Sequence, residues 1–272
     1  MIEELNDIAL FIFDLDGVIY RGDALIKHSN LIIKTLRNKG IDVVFNTNNS
    51  TATREMYVKK LKNFGIQTIR EDIYTSAYIT AQKLSKIKNN SNIFIIGEIG
   101  LKLELEAQGH NVFTDNSLSD EIDFVVVGLD RHLTYEKVSI AQECILNYGA
   151  KFYATNSDAT LPTKQGILPG AGVMVKAVEI ATGHKPLEIF GKPQITGIEL
   201  ILEKYDTPPD KAVFVGDRLN TDIVAGNRAK LKTILVLTGV TNRKMLKNIS
   251  SELSTPDIVI NTLSDLFIHQ KL

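Results

Sequence analysis

The chain has 272 residues, 44% of them hydrophobic and 23% charged, with 31 basic residues set against 32 acidic ones. That length allows one large domain or two modest ones around a substantial core, and the near-zero charge balance gives no footing for a nucleic-acid or membrane-surface partner. No apolar run approaches the roughly 18 residues of a membrane span, the opening "MIEELND" lacks the basic and apolar regions of a secretory signal, and a single cysteine cannot close an internal disulfide, so a cytoplasmic location is expected.

The first apolar run, "IALFIFDLDG", predicts a buried strand ending in two carboxylates, Asp14 and Asp16. An Asp-Gly turn would end a strand on its own, but it leaves unexplained two like charges that point to the same side. "NLIIKTLRNKG" then reads as a helix ending at Gly40, "IDVVFNTNNS" as the next strand, and "TREMYVKKLKNFG" as a second helix closed by Gly65. This alternation of short apolar runs and amphipathic stretches is the pattern of an α/β protein with parallel strands.

The middle of the chain repeats the theme. "SNIFIIGEIG" and "DFVVVGLD" are strand-like, "GEIG" turns into a helix over Leu101 to Gln108, and "KFYATNSD" follows a helix that holds Cys144 on its apolar face. That many strands and helices point to a second α/β unit, and the expected division is a core over 1–80, an inserted unit over 81–184 and the rest of the core over 185–272. Near the end, "KAVFVGDRLNTDI", "KTILVLTG" and "PDIVI" predict three more buried strands, and the proline of "IFGKPQ" predicts the start of a helix.

Strand ends that stop in polar residues mark the candidate site: Asp14 and Asp16, then "NTNNS" (Asn46 to Ser50), then "GDRLNTD" (Gly216 to Asp222), with Lys192 as a fourth contribution. In an open parallel sheet, ligands bind outside the carboxyl ends of the strands near a switch in strand order. Phosphoryl transfer needs such a set, because a carboxylate cannot approach a phosphate without neutralisation. Magnesium takes one or two carboxylates and keeps other oxygens around it, a role that suits Asp14 and Asp217. The five histidines, His28, His110, His132, His184 and His269, show no ligand spacing and read as surface or packing residues.

"DLDGV", "TNNS", "GKP" and "GDRLNTDI", in that order, resemble the four motifs of the haloacid dehalogenase-like phosphatases. The insert, with "VVVGLDRHLTYEKV" and "ATNSDATLPTKQGILPGAG", is similar to the C2-type cap of the 4-nitrophenyl phosphatase (NagD-like) branch. The resemblance runs from about residue 8 to residue 240. It implies a Rossmann-like parallel-sheet core with an inserted α/β cap domain that closes over the site, and a magnesium-dependent phosphomonoesterase. Asp14 would be the nucleophile and Asp16 the general acid and base. Asp14, Asp217 and the backbone carbonyl of Asp16 would hold the metal. Thr47, Asn48 and Asn49 would bind the phosphoryl group, and Lys192 would pin it to Asp14. Asp222 would ligate the metal through water or orient Lys192, and Asn156 and Asp158 would order the cap loop at the substrate.

Relatives acting on pyridoxal phosphate often carry a histidine where this chain has Leu161, so an apolar contact is expected instead. Small phosphorylated metabolites, phosphoglycolate, nucleotides and sugar phosphates among them, make up the substrate class. A phosphotransferase would share the four motifs, and a binding protein on the same fold is the third reading. The branch includes homodimers that associate through the cap, so self-association stays open.

Overall fold

The computed structural model describes every residue except 116, 118–120, 164–165, 250 and 268–272; His269 therefore lies outside the described residues. In chain order the elements are β1 (Leu10–Phe13), the short hairpin β2 (Tyr20–Arg21) and β3 (Ala24–Leu25), α1 (Ser29–Asn38), β4 (Asp42–Thr47), α2 (Arg54–Asn63), β5 (Ile73–Thr75), α3 (Ser76–Ile87), β6 (Asn92–Ile96), α4 (Ile99–Glu106), β7 (Asn111–Phe113) and β8 (Phe124–Val127). They continue with α5 (Tyr135–Leu146), β9 (Lys151–Ala154), the hairpin β10 (Thr160–Thr163) and β11 (Gly166–Pro169), α6 (Ala171–Thr182), β12 (Glu188–Ile189), α7 (Thr196–Tyr205), β13 (Ala212–Gly216), α8 (Val224–Arg228), β14 (Lys232–Val236), α9 (Arg243–Leu246) and β15 (Ile258–Ile260). Gly40 and Gly65 both take positive φ, 76° each, which is the left-handed turn that glycine allows after a helix.

Two compact units share these elements. The first holds Met1–Thr47, Val58–Tyr74 and Lys192–Leu272, and the second holds Asn48–Tyr57 and Thr75–Gly191. The sequence reading divides the chain at 80/81 and 184/185, whereas the contacts divide it at 74/75 and 191/192 and give the second unit an extra segment, 48–57. The reason is packing: α3 lies against α4, and β12 adds to the edge of the second sheet beside β9.

The first unit is built on a sheet in the order β15-β14-β13-β1-β4-β5. β1 pairs parallel with both β13 and β4, and β14 and β15 extend the parallel ladder. The chain goes from β1 to β4 on one side, and β13 lies on the other, so strand order switches at the β1/β13 boundary. Leu10, Phe11, Ile12 and Phe13 are all fully buried, as a strand covered on both faces requires. β15 departs from the expected buried strand. Val259 is exposed, because β15 forms the edge of the sheet.

The second unit repeats the architecture with a parallel sheet in the order β12-β9-β8-β6-β7. Its core gathers Phe94, Val125, Val127, Phe152 and Val178 around Cys144. The Cys144 thiol is fully buried, and burial pushes its pKa up to about 11, so it behaves as a small apolar side chain. The short strands β5, β7 and β12 and both hairpins have no counterpart in the sequence reading, since two to four residues are too few to show a period. Among the described residues no helix is long and apolar enough to cross a membrane.

His110 is also buried in this unit; its Nδ1 accepts from the Ser91 amide at 3.2 Å, and its Nε2 lies 2.9 Å from Ser85 Oγ. Burial lowers its pKa, so the folded chain resists a proton that the unfolded chain accepts below about 6.5. Stability from this group is present above that value and is lost as pH falls. The thermal midpoint should therefore drop between pH 7.5 and pH 5.5, and His110→Gln should flatten part of that slope. An unchanged slope in the variant would remove His110 as a cause.

Candidate active site

Asp14 stands at the carboxyl end of β1, where its amide continues the ladder to Val215 at 2.9 Å. Next to it, Leu15 O accepts from the amides of Val18, Ile19 and Tyr20, and Gly17, at φ 84°, closes the turn with a bond to Tyr20 O. That tight turn keeps Asp16 half-buried beside Tyr20, whose hydroxyl donates to Asp16 Oδ2 at 3.4 Å. Lys60 Nζ sits 3.7 Å over the Tyr20 ring. Burial raises the pKa of Asp16, while Lys60, the Tyr20 hydroxyl and Arg218 pull it back.

Lys192 links four parts of the first unit. It follows β12, is almost fully buried, and donates to Asp14 Oδ1 at 2.7 Å and to the carbonyl of Asn46 on β4 at 2.8 Å. Its third partner is Asp222 Oδ1 at 2.9 Å. Burial alone would lower the ammonium's pKa, but Asp14 and Asp222 outweigh it and hold the group above the ordinary lysine range. Pro193 does not open a helix as expected: the Lys192–Pro193 peptide is cis, and α7 begins at Thr196.

Asp217 and Asp222 follow β13. Asp222 lies in a widened turn over Leu219–Ile223 that precedes α8. Its side chain turns back so that Oδ2 accepts from the amides of both Asp217 and Arg218 at 3.0 Å. Both Asp222 oxygens are thus engaged. Asp217 is different. Its Oδ2 accepts from the Val240 amide at 2.6 Å, but its buried Oδ1 has no hydrogen-bond partner among the described residues. Oxygens of Asp14, Asp217 and Asp222 lie within 4.8 Å of one another.

Glycines shape this cradle. A Cβ on Gly239 would stand 1.8 Å from Asp217 Oδ2, and one on Gly216 would stand 2.1 Å from Asp222 Cβ. Burial raises the pKa of Asp14 well above the usual carboxylate range, opposed by Lys192 and reinforced by Asp222 and Asp217; Asp217 is raised by burial and by Asp222. Two of these carboxylates, Asp14 and Asp222, pair with the Lys192 ammonium, and Asp217 lies beside them without pairing to it. A buried, partnerless carboxylate oxygen beside surplus negative charge fits a hard divalent cation, with Asp14 and Asp217 as the side chains that have oxygen to give.

The remaining candidates divide between the units. Thr47 ends β4 in the first unit and is buried, while Asn48, Asn49, Asn156 and Asp158 belong to the second. There, Asn48 Nδ2 donates to both Asp158 oxygens at 3.1 and 3.3 Å, and Asn156 Nδ2 donates to Asn48 O at 2.8 Å. Asn49 Oδ1 accepts from the amide and hydroxyl of Thr51, each at 2.8 Å. The sequence reading gave no role to Asn46 and Arg218, although Asn46 lies inside "NTNNS", and it missed Lys60 and Gly239. Arg218 lies inside a quoted motif, but Lys60 and Gly239 come from a helix and a loop whose local sequence carries no signal for this role.

The profile of the haloacid dehalogenase-like hydrolases matches residues 11–111, and a HAD-hydrolase-like profile matches residues 189–266. The chain is 35% identical to the 5'-nucleotidase YutF of Bacillus subtilis, over 94% of this chain and 96% of the relative. The crystal structure of a 4-nitrophenylphosphatase from Thermotoga maritima superposes with a TM-score of 0.88 at 39% identity, covering 97% of each chain. A glycerol phosphate phosphatase from Mycobacterium tuberculosis, solved in complex with magnesium, superposes with a TM-score of 0.87 at 30% identity, over 97% of this chain and 77% of that one.

Lys192→Met should strand the Asp14 and Asp222 carboxylates and cost about 3–5 kcal/mol of stability. The cost should grow as pH rises, because carboxylates with a raised folded-state pKa lose their protons there. Urea denaturation of the two proteins at pH 6 and pH 8 measures this, and a cost under about 1 kcal/mol at both would contradict the described pairing.

Proposed function

The chain belongs to the haloacid dehalogenase-like hydrolases, and on that footing we propose that it is a magnesium-dependent phosphatase of small phosphomonoesters that works through an aspartyl-phosphate on Asp14. The observation that carries this reading is the pair formed by Asp14, held by Lys192, and Asp217, with its partnerless buried oxygen.

Asp14 attacks phosphorus, so the bond from its carboxylate oxygen forms as the ester bond breaks. Asp16 gives its proton to the leaving oxygen. It then takes a proton from the water that cleaves the aspartyl-phosphate, which restores Asp14 and releases inorganic phosphate. The raised proton affinity of Asp16 supports that double duty. Lys192 offsets the charge that gathers between Asp14 and the phosphoryl oxygens. The Thr47 hydroxyl and the backbone amides that follow it, from Asn48 and Asn49, bind those oxygens.

Asp14, Asp217 and the backbone carbonyl of Asp16 would hold magnesium, which when bound neutralises both the carboxylates and the phosphoryl group. Asp222 serves through Lys192 and the amides of Asp217 and Arg218. The names of the similar proteins cover a nucleotidase, an aryl phosphatase and a glycerol phosphate phosphatase, which supports small phosphomonoesters as the substrate class. The proposed setting is the cytoplasm.

Phosphate release from 4-nitrophenyl phosphate, glycerol phosphate, phosphoglycolate and a nucleoside monophosphate should require magnesium and stop with chelator. Asp14→Asn should reduce it to background while the protein stays folded. Equal release with chelator would overturn the metal requirement, and full activity in Asp14→Asn would overturn the nucleophile.

A further inference from the structure

The second unit contains a hydrogen-bond network built around a single peptide carbonyl. Asn48 O accepts from Ser76 Oγ at 2.6 Å and from Asn156 Nδ2 at 2.8 Å. A carbonyl has two lone pairs, and two side-chain donors use both. Ser76 is fully buried and Asn156 nearly so, so each lost bond would leave a polar group unsatisfied away from water. A trans peptide is planar, with its C=O and the next N–H on opposite sides. Fixing Asn48 O therefore fixes the direction of the Asn49 N–H.

The side chains of the same stretch are held as firmly. Asp158 spends both carboxylate oxygens on Asn48 Nδ2, and its own amide donates to Asn156 Oδ1 at 3.1 Å. Gly191 makes room for this arrangement: a Cβ there would stand 2.8 Å from Asn48 Oδ1 and 2.9 Å from Asn156 Cβ. Further along, Gly100 N donates to Thr51 O at 3.1 Å, and Arg54 is anchored to buried Glu104, both by its amide at 2.8 Å and by its guanidinium at 3.2 Å. The segment that follows Thr47 is thus tied, by backbone and side-chain bonds, to residues that lie far from it in the sequence.

We infer that Ser76, Asn156 and Asp158 are positioning residues that hold the Asn48–Asn49 peptide in the orientation its N–H, the amide of Asn49, needs to bind a phosphoryl oxygen. This inference rests on the phosphatase reading and refines it. Asn156 and Asp158, expected to order the cap loop at the substrate, act in this reading through Asn48. The chemistry agrees, since a carboxylate repels a phosphate directly but can order the amide dipoles that attract one.

The test uses inorganic phosphate, whose binding to the magnesium-loaded full-length protein can be measured by titration calorimetry without turnover. Asn156→Asp keeps the acceptor for the Asp158 amide but sets an oxygen against Asn48 O; it should weaken phosphate binding roughly 10–100-fold, and Ser76→Ala should weaken it roughly 3–10-fold. KM for 4-nitrophenyl phosphate should rise with the phosphate dissociation constant, while the magnesium concentration for half-activation stays at its original value. Ser85→Ala, which breaks a buried contact to His110 in the same unit, should lower the thermal midpoint and leave phosphate binding unchanged. Phosphate affinity within twofold of the unaltered protein in both variants would overturn the inference, as would an equal loss in Ser85→Ala. Absence of magnesium-dependent release from the unaltered protein would overturn the phosphatase reading instead.

Discussion

The first unit depends on the placement of one ammonium group. Lys192 Nζ meets Asp14, Asp222 and the Asn46 carbonyl, three anionic or dipolar partners from chain segments up to 178 residues apart. A buried lysine with fewer partners would lose its proton or force water in. Here the pairing keeps it charged, and it ties together the ends of β1 and β4 and the turn after β13. Those tips can meet only because β13, β1 and β4 are adjacent and parallel. The same adjacency gathers carboxylates that repel one another. Asp14 and Asp217 respond with raised proton affinity, and surplus negative charge is what a divalent cation would relieve.

Close packing of backbone makes this concentration of charge possible. Gly216 and Gly239 leave the space that the carboxylates of Asp222 and Asp217 occupy. The two acids are then used differently although they lie five positions apart. Asp222 has both oxygens committed to Lys192 and to backbone amides, so it organises the site. Asp217 keeps one oxygen without a partner among the described residues. Residue type alone would have made them equivalent; their hydrogen bonds separate them.

The second unit is a parallel α/β assembly in its own right, with its strand order reversing between β6 and β8. It takes in ten residues, Asn48–Tyr57, that follow β4 directly in the chain. A plain insertion would have left that stretch with the first unit. Its place in the second unit is maintained by a buried ion pair, two side-chain bonds to one carbonyl and glycines at the points of closest approach, a level of specification that an ordinary surface loop does not need.

The sequence by itself determined the parallel α/β class and the presence of two units, and it pointed to the acids, lysine and threonine of the candidate site. Buried parallel strands read as continuous apolar runs, and the motifs sit where those runs stop, as at "FIFDLDG" and "VFVGDRLNTD". These signals are local, so they survive in one dimension. The tertiary structure alone decided the unit boundaries, because α3 and β12 take their allegiance from what they pack against. It alone showed which atoms Asp222 and Asp217 each commit, and drew Lys60, Gly239 and Val240 to the candidate site. It also turned Asn156 and Asp158 toward Asn48. Each of those assignments depends on a hydrogen bond or a close approach between residues distant in sequence, and no periodicity or composition records such a pairing before the chain folds.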